Sequence, residues 1–242
     1  MLKIPGREAA LTAAFAERYV LSLVYLYFAW VEFHVVWLIW PVSSGAGFVG
    51  ISRHLIALLL NFFVGILLLL SRRIAVPPQK LKDILVPLAT SFFNLTYNTI
   101  HWFPASVQKS LCPSGWQTPL AVSGLLLGVI GSAVALWGIL YLGRSFGVFV
   151  VVRKVIFGGP YQWVRHPMYL GYVGMLAGLI LANFSVAYFT LVPIHIGLLL
   201  YRGRLEETRL SEYSAEYQEY RKRTGFIFPR LRRPALDTPE AV

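Results

Sequence analysis

The stretch YLGYVGMLAGLILANFSVAYFTLVPIHIGLLL, residues 169–200, holds two apolar runs separated only by Ala182-Asn183-Phe184-Ser185. Neither run alternates polar and apolar residues as a barrel strand does. Lipid cannot satisfy exposed peptide groups, so each run is expected to be a helix. The short connection leaves room for nothing but a tight turn. The stretch therefore reads as a helical hairpin with spans over 168–182 and 185–201.

Four further runs approach spanning length: 19–40, 54–70, 84–103 and 119–142. About 20 apolar residues are enough to cross a bilayer as a helix. With 57% hydrophobic and 14% charged residues among 242, the chain falls in the integral membrane class and outside the soluble α/β class. The expected fold is all-α, with about six transmembrane helices followed by an amphipathic C-terminal helix. No small-residue cleavage site follows the first run, so it is expected to remain as a span and not to be removed as a signal peptide. Cys112 is the single cysteine, which excludes an internal disulfide and a CxxC redox or zinc site. No metal site is expected.

A net charge of +11 suits nucleic acid only if the basic residues line one aqueous face. Here they cluster in short segments between the apolar runs. Of the 22 basic residues, all but Arg53 and Lys109 fall in the N-terminal tail, the 71–83 loop, the 143–167 segment or the region after 201. That asymmetry places both termini in the cytoplasm, and no nucleic-acid partner is expected. Dropping the 54–70 span would put the 71–83 and 143–167 segments on opposite sides, against the charge bias. Gly124, Gly128, Gly131 and Gly138 lie inside an apolar run with no preceding strand. They read as a helix-contact surface and not as a nucleotide loop.

Upstream of the hairpin stands GGPYQWVRHPMYLGY, residues 158–172. Pro167 suits the first turn of a helix, which puts Arg165 and His166 beside free backbone N–H groups that favour an anion. A carboxylate or phosphate pocket is one reading. An Arg165 membrane anchor with a His166 cap is the other, and these residues alone leave both open.

Downstream stands YRGRLEETRLSEYSAEYQEYRKRTGFIFPRL, residues 201–231. Glu206, Leu210, Tyr213, Tyr217 and Tyr220 recur at helical spacing, predicting one face with a carboxylate and three phenols. Gly225 reads as a helix stop, and Phe226 to Pro229 as a segment that docks on the bilayer or the bundle. Arg230, Arg232 and Arg233 suit anionic lipid head groups. Glu206 and Glu207 do not, since adjacent acids repel such lipids, and they need another partner.

These motifs, in this order and spacing, resemble the C-terminal signature of the isoprenylcysteine carboxyl methyltransferase family over roughly residues 120–232. The related phospholipid methyltransferases share it. The resemblance implies an S-adenosylmethionine site, with S-adenosylhomocysteine as product. It implies that Tyr161, Arg165, His166, Pro167, Tyr169, Leu170, Gly171, Glu206 and Glu207 bind the cofactor. It also implies that Glu207 and a tail arginine, Arg202 or Arg221, serve the reacting group. The expected division is 1–118 for a substrate-side region, 119–233 for the methyltransferase core and 234–242 for a flexible tail.

Methyl transfer from a sulfonium is an in-line displacement that asks for positioning and water exclusion and needs no metal. A carboxylate acceptor would want an arginine; an amine or thiol would want a base from glutamate or tyrosine. The expected partners are the bilayer and a lipophilic small-molecule or lipidated acceptor. Intramembrane Glu32, His34, Asn94 and Asn98, with His101, are candidates for lining its path, or for bridging helices by hydrogen bonds. Rival readings are a phospholipid N-methyltransferase, a small-thiol S-methyltransferase and a non-enzymatic membrane protein. A nicotinamide-dependent sterol reductase is a further rival, but those enzymes typically carry asparagine where this chain has Met168.

Overall fold

The computed structural model describes residues 6–40 and 45–230, except the side chains of residues 6, 7, 9, 10, 45–49, 98 and 101. The expected tail 234–242, Arg232, Arg233 and the side chains of Asn98 and His101 lie outside the described residues.

Every described element is helical. Helix α1, Gly6–Phe15, runs through a π-helical turn, Ala16–Leu21, into α2, Ser22–Ile39. Helix α3 is Gly45–Leu69, α4 is Lys82–Phe92, and the short α5 and α6 are Asn94–Asn98 and Ala105–Gln108. Then come α7, Gln117–Leu142; α8, Pro167–Asn183; α9, Val186–Tyr213; and α10, Ala215–Arg223. No strand occurs among the described residues; Val76–Val152, Ser110–Ser185 and Val164–Gly225 are isolated bridges.

Among the described residues, four helices are long and apolar enough to cross a membrane: Leu11–Ile39, Gly50–Leu69, Ser114–Ser145 and Val186–Tyr213. Their outward faces carry Leu23, Trp30, Phe33, Leu126 and Ile130, all exposed, as lipid contact requires. Pro167–Asn183 is apolar but has only 17 residues. At 1.5 Å per residue it reaches about 26 Å, just under the roughly 30 Å hydrocarbon thickness.

The hairpin forms where the sequence predicts it. Phe184 takes the left-handed conformation at φ 38°, and Ser185 is extended, so the chain reverses within two residues. Helices α7 and α8 then pack at backbone contact. A Cβ on Gly131 would sit 2.6 Å from Gly171 O, and one on Gly171 would sit 2.4 Å from Ala135 N. Only glycine permits that approach.

The 84–103 run does not form one spanning helix. Helix α4 ends at Phe92, and only α5 and a 3₁₀ turn, Ile100–Trp102, follow. Thr96 Oγ1 donates to Phe93 O at 2.6 Å, and Thr99 Oγ1 to Thr96 O at 3.1 Å. Such local bonds compete with the regular helical ladder. The predicted 201–231 face is also broken. Ser214 caps a new helix, its Oγ accepting from Tyr217 N at 3.2 Å, so Tyr213 turns outward while Tyr217 is buried.

One hydrophobic cluster positions the site. Leu21, Val64, Leu68, Ile139, Phe146, Val148 and Phe149 join the π-turn, α3 and α7 to the irregular segment after α7. That segment faces α8, α9 and α10 across a cleft.

Candidate active site

The cleft is walled by Phe146, Gly147, Phe149, Val151 and Arg153 on one side and by Tyr161, Arg165, His166, Met168 and Tyr169 on another. Arg202, Glu206 and Leu210 of α9, with Tyr217 and Tyr220 of α10, complete it. The hairpin, the α9 extension and the α10 cap thus bring the two sequence motifs together.

His166 occupies the N-cap position of α8 without a side-chain capping bond, and Pro167 takes the first helical position. Its ring is 8% exposed and stacks on Tyr169 at 5.0 Å with an interplanar angle of 3°. Its Nε2 closes no hydrogen bond, standing 3.4 Å from Glu207 Oε1, and Nδ1 is 3.8 Å from Glu206 Oε2. The ring thus stands between the two acids, with Glu207 behind it and Glu206 beside it at the cleft.

Glu206 shares that wall. Its Oε1 accepts from Tyr169 Oη at 2.6 Å and from Arg202 Nε at 3.0 Å. The other oxygen has no such partner and the side chain is 23% exposed, so a carboxylate oxygen is presented to the cleft. Arg202 is buried and spans the site: its Nη2 donates to Val148 O at 2.9 Å and Gly147 O at 3.4 Å, and its Nη1 to Ser91 Oγ at 3.4 Å.

Glu207 faces the other way. It is 4% exposed, is absent from the cleft lining, and pairs through Oε1 with Arg165 Nε and through Oε2 with Arg221 Nε at 3.4 Å. Arg165 also donates through Nη1 to Thr224 O and, at 3.1 Å, to Arg221 O. Its backbone N–H donates to Gly225 O at 2.9 Å, and that of His166 to Phe226 O at 3.0 Å. The Arg165 guanidinium therefore pins the 221–226 segment onto the bundle. Phe226 docks edge-on to His166 at 4.7 Å, so this part of the tail rests on the bundle and not on lipid.

The remaining expected residues divide plainly. Tyr161 lines the cleft and donates to Gly138 O at 3.2 Å. Pro167 is buried at the α8 start, Gly171 is in contact with α7, and neither Leu170 nor Gly171 lines the cleft. Arg221 is half exposed on α10. Glu32 pairs with His54 Nδ1 at 2.6 Å, and His34 is exposed, bonding its Nδ1 to Trp30 O at 3.2 Å. Both lie away from the cleft lining. Asn94 lines a second cavity, between α3, α7, α8 and α9, with Arg53, Gly128, Ser132, Tyr172 and His195.

Three phenols at the cleft are held in the protonated form. Burial pushes Tyr220 up to about 12. Burial also raises Tyr161 and Tyr217 above the ordinary phenol value, with the Glu206 charge adding to Tyr161 and the Glu207 charge to Tyr217. None supplies a phenolate base near neutral pH.

The sequence reading missed the far wall. Arg153 counted there as a topology charge, yet it lines the cleft and pairs with buried Glu17. A lone acid in the apolar AAFAERYVLSL run was the available signal. It also missed the clip in which Asp83 Oδ2 accepts from Arg209 Nη2 at 2.7 Å and ties α4 to α9.

Residues 124–212 match the sequence model of the isoprenylcysteine carboxyl methyltransferase family. Over 136 residues the chain is 33% identical to the protein-S-isoprenylcysteine O-methyltransferase of Saccharomyces cerevisiae, covering 52% of this chain and 53% of that one. Over 119 residues it is 32% identical to the cobalt-zinc-cadmium resistance protein CzcN of Cupriavidus metallidurans, covering 48% and 52%. The chain thus spans about half the length of these curated relatives. Residues 124–212, which supply His166, Tyr169, Arg202 and Glu206 to the cleft, are therefore similar to the isoprenylcysteine carboxyl methyltransferase family, as their motifs suggested.

Proposed function

We propose that the chain is an integral membrane methyltransferase that binds S-adenosylmethionine in the cleft and methylates a lipophilic acceptor. The observation that carries this reading is that buried His166 stands between the paired acids, 3.4 Å from Glu207 and 3.8 Å from Glu206, with His166 and Glu206 lining one cleft inside the family-matched segment. The cofactor supplies the methyl group as a sulfonium. Glu206 accepts from its amine or ribose hydroxyls, His166 donates to an acceptor atom, Tyr161 and Tyr169 form the wall, and buried Pro167 sets the start of α8 behind it. Leu170 and Gly171 support that wall through helix packing. Arg202 keeps Glu206 turned into the cleft, and Glu207 acts through Arg165 and Arg221, closing the site against water.

The division into a substrate-side 1–118 and a methyltransferase core 119–233 is part of this proposal. So is the placement of both termini in the cytoplasm, which rests on the charge asymmetry of the sequence.

The acceptor's apolar tail is assigned to the second cavity. Gly128 is the reason: a Cβ there meets nothing within 4 Å, whereas Gly124 and Gly131 are in backbone contact with α8. Its missing side chain opens space that packing does not require. Gly128→Leu is therefore expected to leave S-adenosylhomocysteine affinity unchanged and to lower kcat/KM for a long-chain acceptor at least ten-fold. Equal rates with long-chain and short-chain acceptors would remove the tail assignment.

The reading as a whole is tested by transfer of label from S-adenosyl-[methyl-³H]methionine to prenyl-cysteines, phospholipids and small thiols by protein purified in detergent. Label in one class, lost in His166→Ala, is expected. Label in none of them, from a preparation that binds the cofactor, would contradict the lipophilic-acceptor reading.

A further inference from the structure

We infer that Glu17 is a positioning residue of the cleft, ordering the wall that closes over the cofactor from outside the family-matched segment. The inference rests on the methyltransferase reading for what the cleft holds.

Glu17 is 1% exposed and sits on the π-helical turn Ala16–Leu21 that interrupts the first long helix. Single π-turns inside α-helices often accompany functional sites, because the extra residue re-aims the side chains around it. Here the side chain reaches across to the far wall. Its Oε1 accepts from Val148 N at 2.5 Å and Phe149 N at 2.8 Å, while Oε2 pairs with Arg153 Nη2. The segment from 146 to 153 belongs to no regular helix or strand beyond one bridge at Val152; Val150 N donates to Asp83 O and Val152 N to Val76 O, both at 3.0 Å, and the Glu17 bonds order the 148–149 stretch that those two leave open.

The same backbone is held from its other side. Arg202, which holds Glu206, donates to the carbonyls of Gly147 and Val148. Glu17 thus takes the N–H groups and Arg202 the carbonyls of one short stretch. Gly147 shows how closely the parts fit, since a Cβ there would lie 2.8 Å from Glu17 Oε1 and would collide with the Arg153 guanidinium. A shift of Glu17 moves Phe149 and Arg153, which line the cleft, and loosens the carbonyls that fix Arg202. The N-terminal helix therefore serves the cofactor side as well as any acceptor path.

Glu17→Ala in the full chain tests this against Arg209→Ala. The second variant breaks a buried ion pair of the same kind, to Asp83, but Arg209 lines no part of the cleft and its side chain bonds Gln79, Glu212 and Asp83, outside 146–153. Backbone amide exchange in 146–153 is expected to rise at least ten-fold in Glu17→Ala. S-adenosylhomocysteine affinity, measured below both unfolding midpoints, is expected to fall ten-fold or more in that variant and to stay at the wild-type value in Arg209→Ala. Unchanged exchange in 146–153 would overturn the inference, as would affinity losses that merely track the midpoints of the two variants. A wild type that binds no S-adenosylhomocysteine would instead overturn the methyltransferase reading, leaving the exchange result to decide whether Glu17 orders the wall.

Discussion

Glu207→Gln is expected to lose about 3–5 kcal/mol of stability and to lose cofactor binding with it, because removing one member of a buried ion pair strands the other. Glutamine keeps the shape, so no cavity opens and the effect isolates the charge. Arg165, 9% exposed, would keep its bonds to the Arg221 and Thr224 carbonyls but lose its counter-ion. It would either remain as an uncompensated buried cation or swing out and release the 221–226 segment. Both outcomes weaken the tail that carries Tyr217, Tyr220 and Phe226 against the site. The check is a thermal unfolding curve in detergent with backbone amide exchange at 224–226. An unchanged midpoint with slow exchange there would show that the pairing with Arg165 does not hold the tail.

Glu206→Gln is expected to act more on the ligand than on the fold, because Glu206 is partly open to water and its partner Arg202 keeps its bonds to Gly147 O, Val148 O and Ser91. The amide oxygen can still accept from Tyr169 Oη and Arg202 Nε, so the wall keeps its shape. What disappears is the charged oxygen facing the cleft. A charge-assisted hydrogen bond contributes roughly 1.5–3 kcal/mol, so S-adenosylhomocysteine should bind about ten- to hundred-fold more weakly while the unfolding midpoint falls less than in Glu207→Gln. Calorimetry on both glutamine variants separates the roles. If Glu206→Gln binds normally and Glu207→Gln loses affinity without losing stability, the two assignments exchange.

Much of the arrangement was legible in the sequence, for identifiable reasons. The hairpin followed from two apolar runs with only Ala182 to Ser185 between them. The expectation that His166 and one of the paired acids share a pocket came from the family resemblance that the RHPMY and paired-acid motifs carry, and the structure brings His166 and Glu206 to one cleft. What the sequence could not carry was direction. Glu206 and Glu207 are adjacent on α9, and which of them faces the cleft depends on Arg165 and Arg202 arriving from elsewhere in the chain. The 84–103 run failed as a single span because average apolarity hides the polar NLTYNT cluster, where threonine hydroxyls bond to the backbone. The tail face failed because Ser214 is an N-cap, and one capping residue resets the helical phase of everything after it. Glu17 escaped notice because its partners lie more than a hundred residues away, and no local pattern announces them.

The central claim is that the cleft binds an S-adenosyl cofactor. Calorimetric titration of the detergent-purified protein with S-adenosylhomocysteine and, separately, with NADPH tests it directly. Saturable binding of the first with one site per chain, lost in His166→Ala, and no binding of NADPH, is the expected result. Binding of NADPH without S-adenosylhomocysteine would contradict the account, leaving the fold in place and assigning the cleft to hydride transfer.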